Sequence, residues 1–316
     1  MAAEFAREFA KMNARELEGL PRLQTVFFFP VGPLEDHGPH LPMNLDLAEA
    51  AALCHQAAAR LEREMPGWRG VVMPAAPLGI DSNTGAVRIT VRAHVLRDWL
   101  VDACKSLTRA GFRNYACFSG HLGPKQLTAI EEAGRIVNRR LPFQPRGPVL
   151  VSACSALVGF ATMRQSPLWM DPTEHGGARD TSVALHLARG AGSAGGASDV
   201  GGVQVAPGYA ELPPESRKSS GIARIIDYWS GKRSGYWGKP GAADAAVGEK
   251  LLEGTLDEVF PKLKAVLEGS NPQVVFRSWY SILPIHKSFF RAYLLAFGFL
   301  ALFSLWIYLN LQALIQ

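Results

Sequence analysis

Residues 30–46 read Pro-Val-Gly-Pro-Leu-Glu-Asp-His-Gly-Pro-His-Leu-Pro-Met-Asn-Leu-Asp. The apolar run at 26–29 ahead of them ends at a proline, the pattern of a short buried strand. The segment behind that proline is dense in candidate metal ligands: Glu35, Asp36, His37, His40 and Asp46. Gly32, Pro33, Gly38, Pro39 and Pro42 are interleaved with them and exclude regular helix. A buried strand that runs into a rigid, donor-rich loop is where α/β proteins commonly place their chemistry. Glu35 and His37 lie two apart and share a face of an extended backbone. A hard carboxylate beside an imidazole suits Zn²⁺ or Mn²⁺. The same residues also fit a polar surface loop with no ligand, so the two readings are decided by the rest of the chain.

Outward from that loop, strand-like and helix-like segments alternate. An alanine-rich pattern predicts a helix over 45–64, followed by a strand at 70–73, a Pro/Gly/Asn-rich loop over 74–85 and a strand at 87–91. A helix over 96–109 is stopped by Gly111, and a strand at 115–119 carries His121 into a loop. A helix over 124–139, a strand at 149–153, a loop bearing His175 and a helix over 181–189 complete the series. Such alternation predicts a three-layer α/β/α domain with a mostly parallel sheet, its donors on loops. Residues 190–221 are rich in Gly, Ser and Pro and read as a long loop.

Three further stretches give the donor-rich loop its meaning. Residues 30–46 resemble the signature of the creatininase (creatinine amidohydrolase) family. Ser119-Gly120-His121-Leu122-Gly123 resembles that family's Asn-Gly-His-Gly-Gly segment. His175-Gly176-Gly177-Ala178-Arg179-Asp180-Thr181-Ser182 resembles its His-Ala-Gly-x-x-Glu-Thr-Ser segment, and the stretch from Gly235 to Pro240 resembles its glycine-rich end. The resemblance spans residues 20–265. It implies a site for two divalent ions, Zn²⁺ and/or Mn²⁺, with Glu35, His37, Asp46, His121 and Asp180 as ligands and Asp46 bridging. It also implies His175 as the catalytic histidine, hydrolysis of a C–N bond in a small amide or cyclic amide, and a homo-oligomer. The physical logic is that a water between two such ions loses a proton near neutral pH.

This chain departs from the pattern in places. Gly123 stands where creatininase has a further carboxylate ligand, Pro124 replaces a usual asparagine, and Asp180 is one methylene shorter than the usual glutamate. These changes weaken creatinine as the substrate more than they weaken metal binding. His40 reads as a structural histidine that holds the loop. The alternative to an enzyme is a non-catalytic or weakly catalytic subunit of a membrane complex that kept the fold.

With 316 residues, 48% hydrophobic and 19% charged, the chain can bury a large core. Its net charge of +5 is spread rather than run together, which points to a membrane surface and not to nucleic acid. Cys54, Cys104, Cys117 and Cys154 show no paired spacing and read as buried free thiols. Residues 1–20 alternate charged and apolar residues and predict an amphipathic N-terminal helix ended by Gly19 and Pro21.

The C-terminus is of another composition. No charged residue comes after Arg291. A hydrocarbon core about 30 Å thick needs about 20 helical residues. The expected organisation is therefore a creatininase-like domain over 21–268, a juxtamembrane linker over 269–288 and one transmembrane helix over 289–312. Arg277, Lys287 and Arg291 flank the near end and no basic residue lies beyond the far end, so the large domain is expected in the cytoplasm.

Overall fold

The computed structural model describes residues 7–80, 82, 87–139, 147–159, 174–190, 202–214, 235–282 and 287–315. In chain order the elements are β1 (Arg7–Glu8), α1 (Ala14–Glu18), β2 (Thr25–Val31), β3 (Leu34–Glu35), α2 (Leu45–Glu64) and β4 (Arg69–Val72). Next come β5 (Arg88–Ile89), α3 (Ala93–Arg109), β6 (Asn114–Ser119), α4 (Pro124–Val137) and β7 (Val149–Ser152). The last are α5 (Ala178–Gly190), α6 (Ala245–Leu267), α7 (Pro272–Val275) and α8 (Lys287–Ile315).

Five strands form one sheet in the order β1-β4-β2-β6-β7, and every pairing in it is parallel. β2 is its centre, and all seven of its residues are buried. The strand period of two sends its side chains to opposite faces. Val26 and Phe28 join a core with Leu53, Ala57 and Leu61 of α2, Val183 of α5 and Leu256 of α6. Phe27, Phe29 and Val31 join a second core with Leu96 and Leu100 of α3 and Ile130 of α4. A strand covered on both faces must be apolar throughout, which is why it reads as an uninterrupted hydrophobic run. Helices above and below make the expected three layers.

The order of strands positions the site. From β2 the chain winds to β4 on one side and then to β6 on the other, so the winding reverses between β2 and β6. The crevice beyond the carboxyl ends of strands at such a reversal is the usual ligand position of a parallel sheet. The loop after β2 carries residues 30–46, and the loop after β6 carries His121.

One expectation is corrected at the start of the domain. The described part of residues 1–20 is not one helix. Arg7–Glu8 pairs with β4 as an edge strand, a 3₁₀ turn comes next over Phe9–Lys11, and only the five residues of α1 are helical. Phe9 packs edge-on against Phe27, with ring centroids 6.1 Å apart, and Asn13 with Glu16 forms a capping box that starts a new helix. Gly19 ends that helix as expected. Within the expected juxtamembrane linker over 269–288, the described residues up to 282 pack on the domain. Phe276 and Ser278 are buried, the Ser278 N–H donates to Glu131 at 2.9 Å, and Trp279 and Tyr280 pack on the first core.

All four cysteines are free and buried. Burial pushes the Cys154 thiol up to about 12, so it stays protonated and inert. Within α8, the 19 residues Leu294–Gln312 are long and apolar enough to cross a membrane, and none of them is buried. Removing residues 287–316 should therefore shift the melting temperature by less than about 2 °C, read by circular dichroism, because so little packing is lost. A larger fall would make α8 part of the core.

Candidate metal centre

Each of the four motif stretches delivers side chains to the crevice between β2 and β6. Glu35 lies on β3 directly after β2, His37 comes two residues later, and Asp46 lies in the first turn of α2. His121 lies just beyond β6. His175 is held by an antiparallel bridge to Trp237, with backbone hydrogen bonds of 3.0 and 2.8 Å, and Asp180 lies in the first turn of α5. Close backbone approach makes this convergence possible. A side chain at Gly120 would fall on the Asp46 carbonyl, and one at Gly176, where φ is +60°, would fall on the His37 carbonyl.

The six side chains form two groups of three donors, each mutually within 4.8 Å: Glu35 with Asp46 and His121, and His37 with His175 and Asp180. Asp46 belongs to both in effect. Its Oδ1 lies 3.4 Å from His37 Nε2 and its Oδ2 lies 3.6 Å from His121 Nδ1. Glu35 also spans them, with Oε2 3.3 Å from His121 Nδ1 and Oε1 3.5 Å from His175 Nε2. The five residues expected as ligands and the one expected as catalytic are thus all brought together. His175 is not set apart from the rest: its ring centroid is 4.1 Å from that of His37.

Hydrogen bonds preset the tautomers. A carbonyl oxygen only accepts, so His37 Nδ1 donates to the Glu35 carbonyl at 3.1 Å and its Nε2 faces Asp46. By the same rule His175 Nε2 donates to the Asp36 carbonyl at 2.8 Å, which leaves the lone pair on Nδ1. Donation of one ring nitrogen to backbone is how metal-binding histidines are held.

Charge is in surplus here. Glu35 and Asp46 are buried, Asp180 is largely so, and buried carboxylates are costly unless paired or bound to cations. Burial works against a charge on His37, but Asp46, Asp180 and Glu35 together overcome it and push that imidazole up to about 10. Burial, together with the charge of His37, drives His175 down to about 3. Burial alone would raise the Asp46 carboxyl, yet His37, His121 and His175 hold it well below the usual range. Asp46 Oδ2 and His121 Nε2 are buried and make no hydrogen bond. This is a donor set shaped for divalent cations, with nitrogen and oxygen ligands and no thiolate.

The departures at residues 123 and 180 gain an explanation. With His121 in this rotamer, a side chain at Gly123 would fall on its Nε2, so no carboxylate fits there. Asp180, at the position of the family's usual glutamate, supplies the carboxylate of the second group. His40 has the structural role expected of it, its Nε2 2.9 Å from Thr181 Oγ1 and its carbonyl accepting from the Ala206 N–H. Glu174 caps α5 by accepting from the Arg179 N–H, and burial raises its carboxyl to about 7. Trp169 lies outside the described residues.

Sequence reasoning missed two parts of the site. Trp237 packs against His175 with ring centroids 4.8 Å apart, and His37 packs against the same ring. Nothing in its glycine-rich neighbourhood signalled that. Buried Glu49 and half-buried Arg179 form an ion pair at 2.9 Å behind Asp180. Its signal was present: Glu49 is a carboxylate on an otherwise apolar helix face, three residues after Asp46.

A three-layer α/β domain with this donor set at its winding reversal has the form of a metal-dependent α/β enzyme, and its class is given by its family. The chain belongs to the creatininase family, whose family model, described as creatinine amidohydrolase, matches residues 10–263. A curated relative from Mycobacterium ulcerans (strain Agy99), named mycofactocin precursor peptide peptidase, is 27% identical over 255 residues, covering 77% of this chain and 86% of its own length. Among solved structures, a manganese form of creatininase is similar with a TM-score of 0.60 at 21% identity, over 83% of this chain and 99% of its own. A point mutant of creatininase described as a Zn-Zn type has the same TM-score and identity, over 83% of this chain and 98% of its own.

A cation at this site must displace the proton that His37 holds below about pH 10. Since that proton competes at lower pH and is absent above the pKa, divalent-ion affinity should rise by up to about tenfold per pH unit toward pH 10. Calorimetry in buffers of different ionisation heat should report release of about one proton on binding near neutral pH. Binding that is independent of pH between 6 and 9 would contradict the charge state of His37.

Proposed function

We propose that this chain is a membrane-anchored amidohydrolase that works with two divalent ions, Zn²⁺ and/or Mn²⁺. The observation that carries the reading is the position of Asp46, one oxygen toward each imidazole, so that two donor groups share one carboxylate. Glu35, Asp46 and His121 would hold one ion; His37, Asp180 and the other Asp46 oxygen would hold the second. Two such ions supply a water that ionises near neutral pH and an electrophile for the amide carbonyl.

The chain's own residues supply the proton path. His175 is anchored through Nε2 by the Asp36 carbonyl, which leaves Nδ1 as the ring nitrogen free to act as a base. It takes a proton from the attacking water and returns it to the leaving nitrogen. Trp237 and His37 both pack against its ring and restrict how it turns. The substrate class is a small amide. A relative named as a peptidase supports a linear amide as readily as a cyclic one.

α8 is the anchor. At about 1.5 Å per residue, the 19 residues Leu294–Gln312 span about 28 Å, enough for a hydrocarbon core. The basic residues all lie on its domain side, which favours a cytoplasmic domain. A tail on every subunit suits a cyclic homo-oligomer, or a complex with one copy, better than a two-sided ring.

Metal analysis of the purified full chain in detergent should find two ions, and the metal-loaded protein should hydrolyse simple amides. Asp46→Ala is expected to lose both ions, as measured by mass spectrometry of metal content. Full occupancy in that variant would remove the shared carboxylate from the mechanism. His175→Ala is expected to keep both ions while hydrolysis falls by about 10²-fold or more. Loss of an ion from that variant would make His175 a ligand.

A further inference from the structure

Asp180 is a carboxylate on a short stem, and both of its oxygens are already gripped. Oδ2 accepts from the Gly176 N–H at 2.7 Å, and Oδ1 accepts from Arg179 Nη1 at 2.8 Å. The other arm of that guanidinium, Nη2, donates to Glu49 Oε1 at 2.9 Å. Glu49 is buried, with 4% of its surface exposed. It sits three residues after Asp46, so one helix face of α2 carries both the shared carboxylate and the anchor for the arginine.

A guanidinium is a poor neighbour for a cation site on Coulomb grounds alone, because it repels the ion. Placing it there, and burying a second carboxylate to hold it, is costly unless the pair has another use. Its planar fork provides one: two parallel sets of donors fix direction as well as distance. We propose that Arg179, braced by Glu49, is the positioning residue that aims Asp180 at the His37–His175 donors and so holds an ion there. The clamp makes up for the methylene that Asp180 lacks beside the glutamate of the resembling family segment. The inference rests on the two-ion reading above.

Variants that leave the net charge unchanged separate positioning from simple repulsion. If Arg179 acts on the ion only through its charge, they leave metal binding as it was; if its fork positions Asp180, they weaken binding. Glu49→Leu combined with Arg179→Leu takes away both charges of the buried brace together and leaves Asp180 with the Gly176 N–H. In the full chain in detergent, Zn²⁺ and Mn²⁺ titrations of this double variant should show the second ion bound about 10–100-fold more weakly than in wild type. The first ion should bind as before, and the circular dichroism melt should be unchanged. Adding Asp180→Glu to the double variant should restore the second ion, because the longer side chain reaches without the clamp. Arg179→Lys is the control should the double variant not fold: it keeps the charge, loses the fork and should weaken the second ion similarly. Second-ion affinity equal to or tighter than wild type in whichever of these variants folds would overturn the proposal. A wild-type chain that takes up fewer than two ions would overturn the two-ion reading instead.

Discussion

A surplus of buried negative charge governs this molecule. Glu35 from β3, Asp46 from the first turn of α2 and Asp180 from the first turn of α5 converge on a volume lined by His37, His121 and His175, and Glu49 stands one turn behind. Carboxylates so placed are tolerable only with positive partners. The protein answers in two ways: a proton on His37 and a guanidinium from Arg179. A divalent ion is the stronger answer to the same demand, and two hydrogen bonds to backbone carbonyls already orient His37 and His175.

The fold exists to bring those groups together. A strand buried on both faces can end only where the helices that cover it end, so its loop emerges beside that of its neighbour. The reversal of winding between β2 and β6 opens the gap that the loops fill. Gly120 and Gly176 then let backbone lie against backbone at the points where the first loop meets the second and third. The segment from Gly235 closes the remaining side: Tyr236 packs edge-on to His40, its ring centroid 5.7 Å away, and Trp237 packs against His175.

α8 obeys a different rule from the domain. Its large side chains from Leu294 to Leu311 are exposed, including Phe299, Phe303 and Trp306 stacked along one side. An exposed apolar surface of that extent has to meet something other than water. The segment before it is firmly part of the domain, through Phe276 in the core and Ser278 bonded to Glu131.

Local pattern alone was enough for the class of fold, the parallel sheet and the helix over Leu45–Glu64, whereas the six candidate site residues were named through the resemblance to the creatininase family. Those signals are short-range: an apolar run closed by proline, an alanine-rich period, donors packed between glycines and prolines. Three things depended on contacts between residues far apart in the chain. The first is how the donors divide into two groups around Asp46. The second is the fate of the ends, where Arg7–Glu8 became an edge strand and residues 272–282 folded onto the core because a sheet edge and an apolar surface were there to receive them. The third is the pairing of Arg179 with Glu49 across 130 residues. A sequence states which side chains are available at short range; which of them neutralise one another is decided only when the loops are brought into the same low-dielectric space.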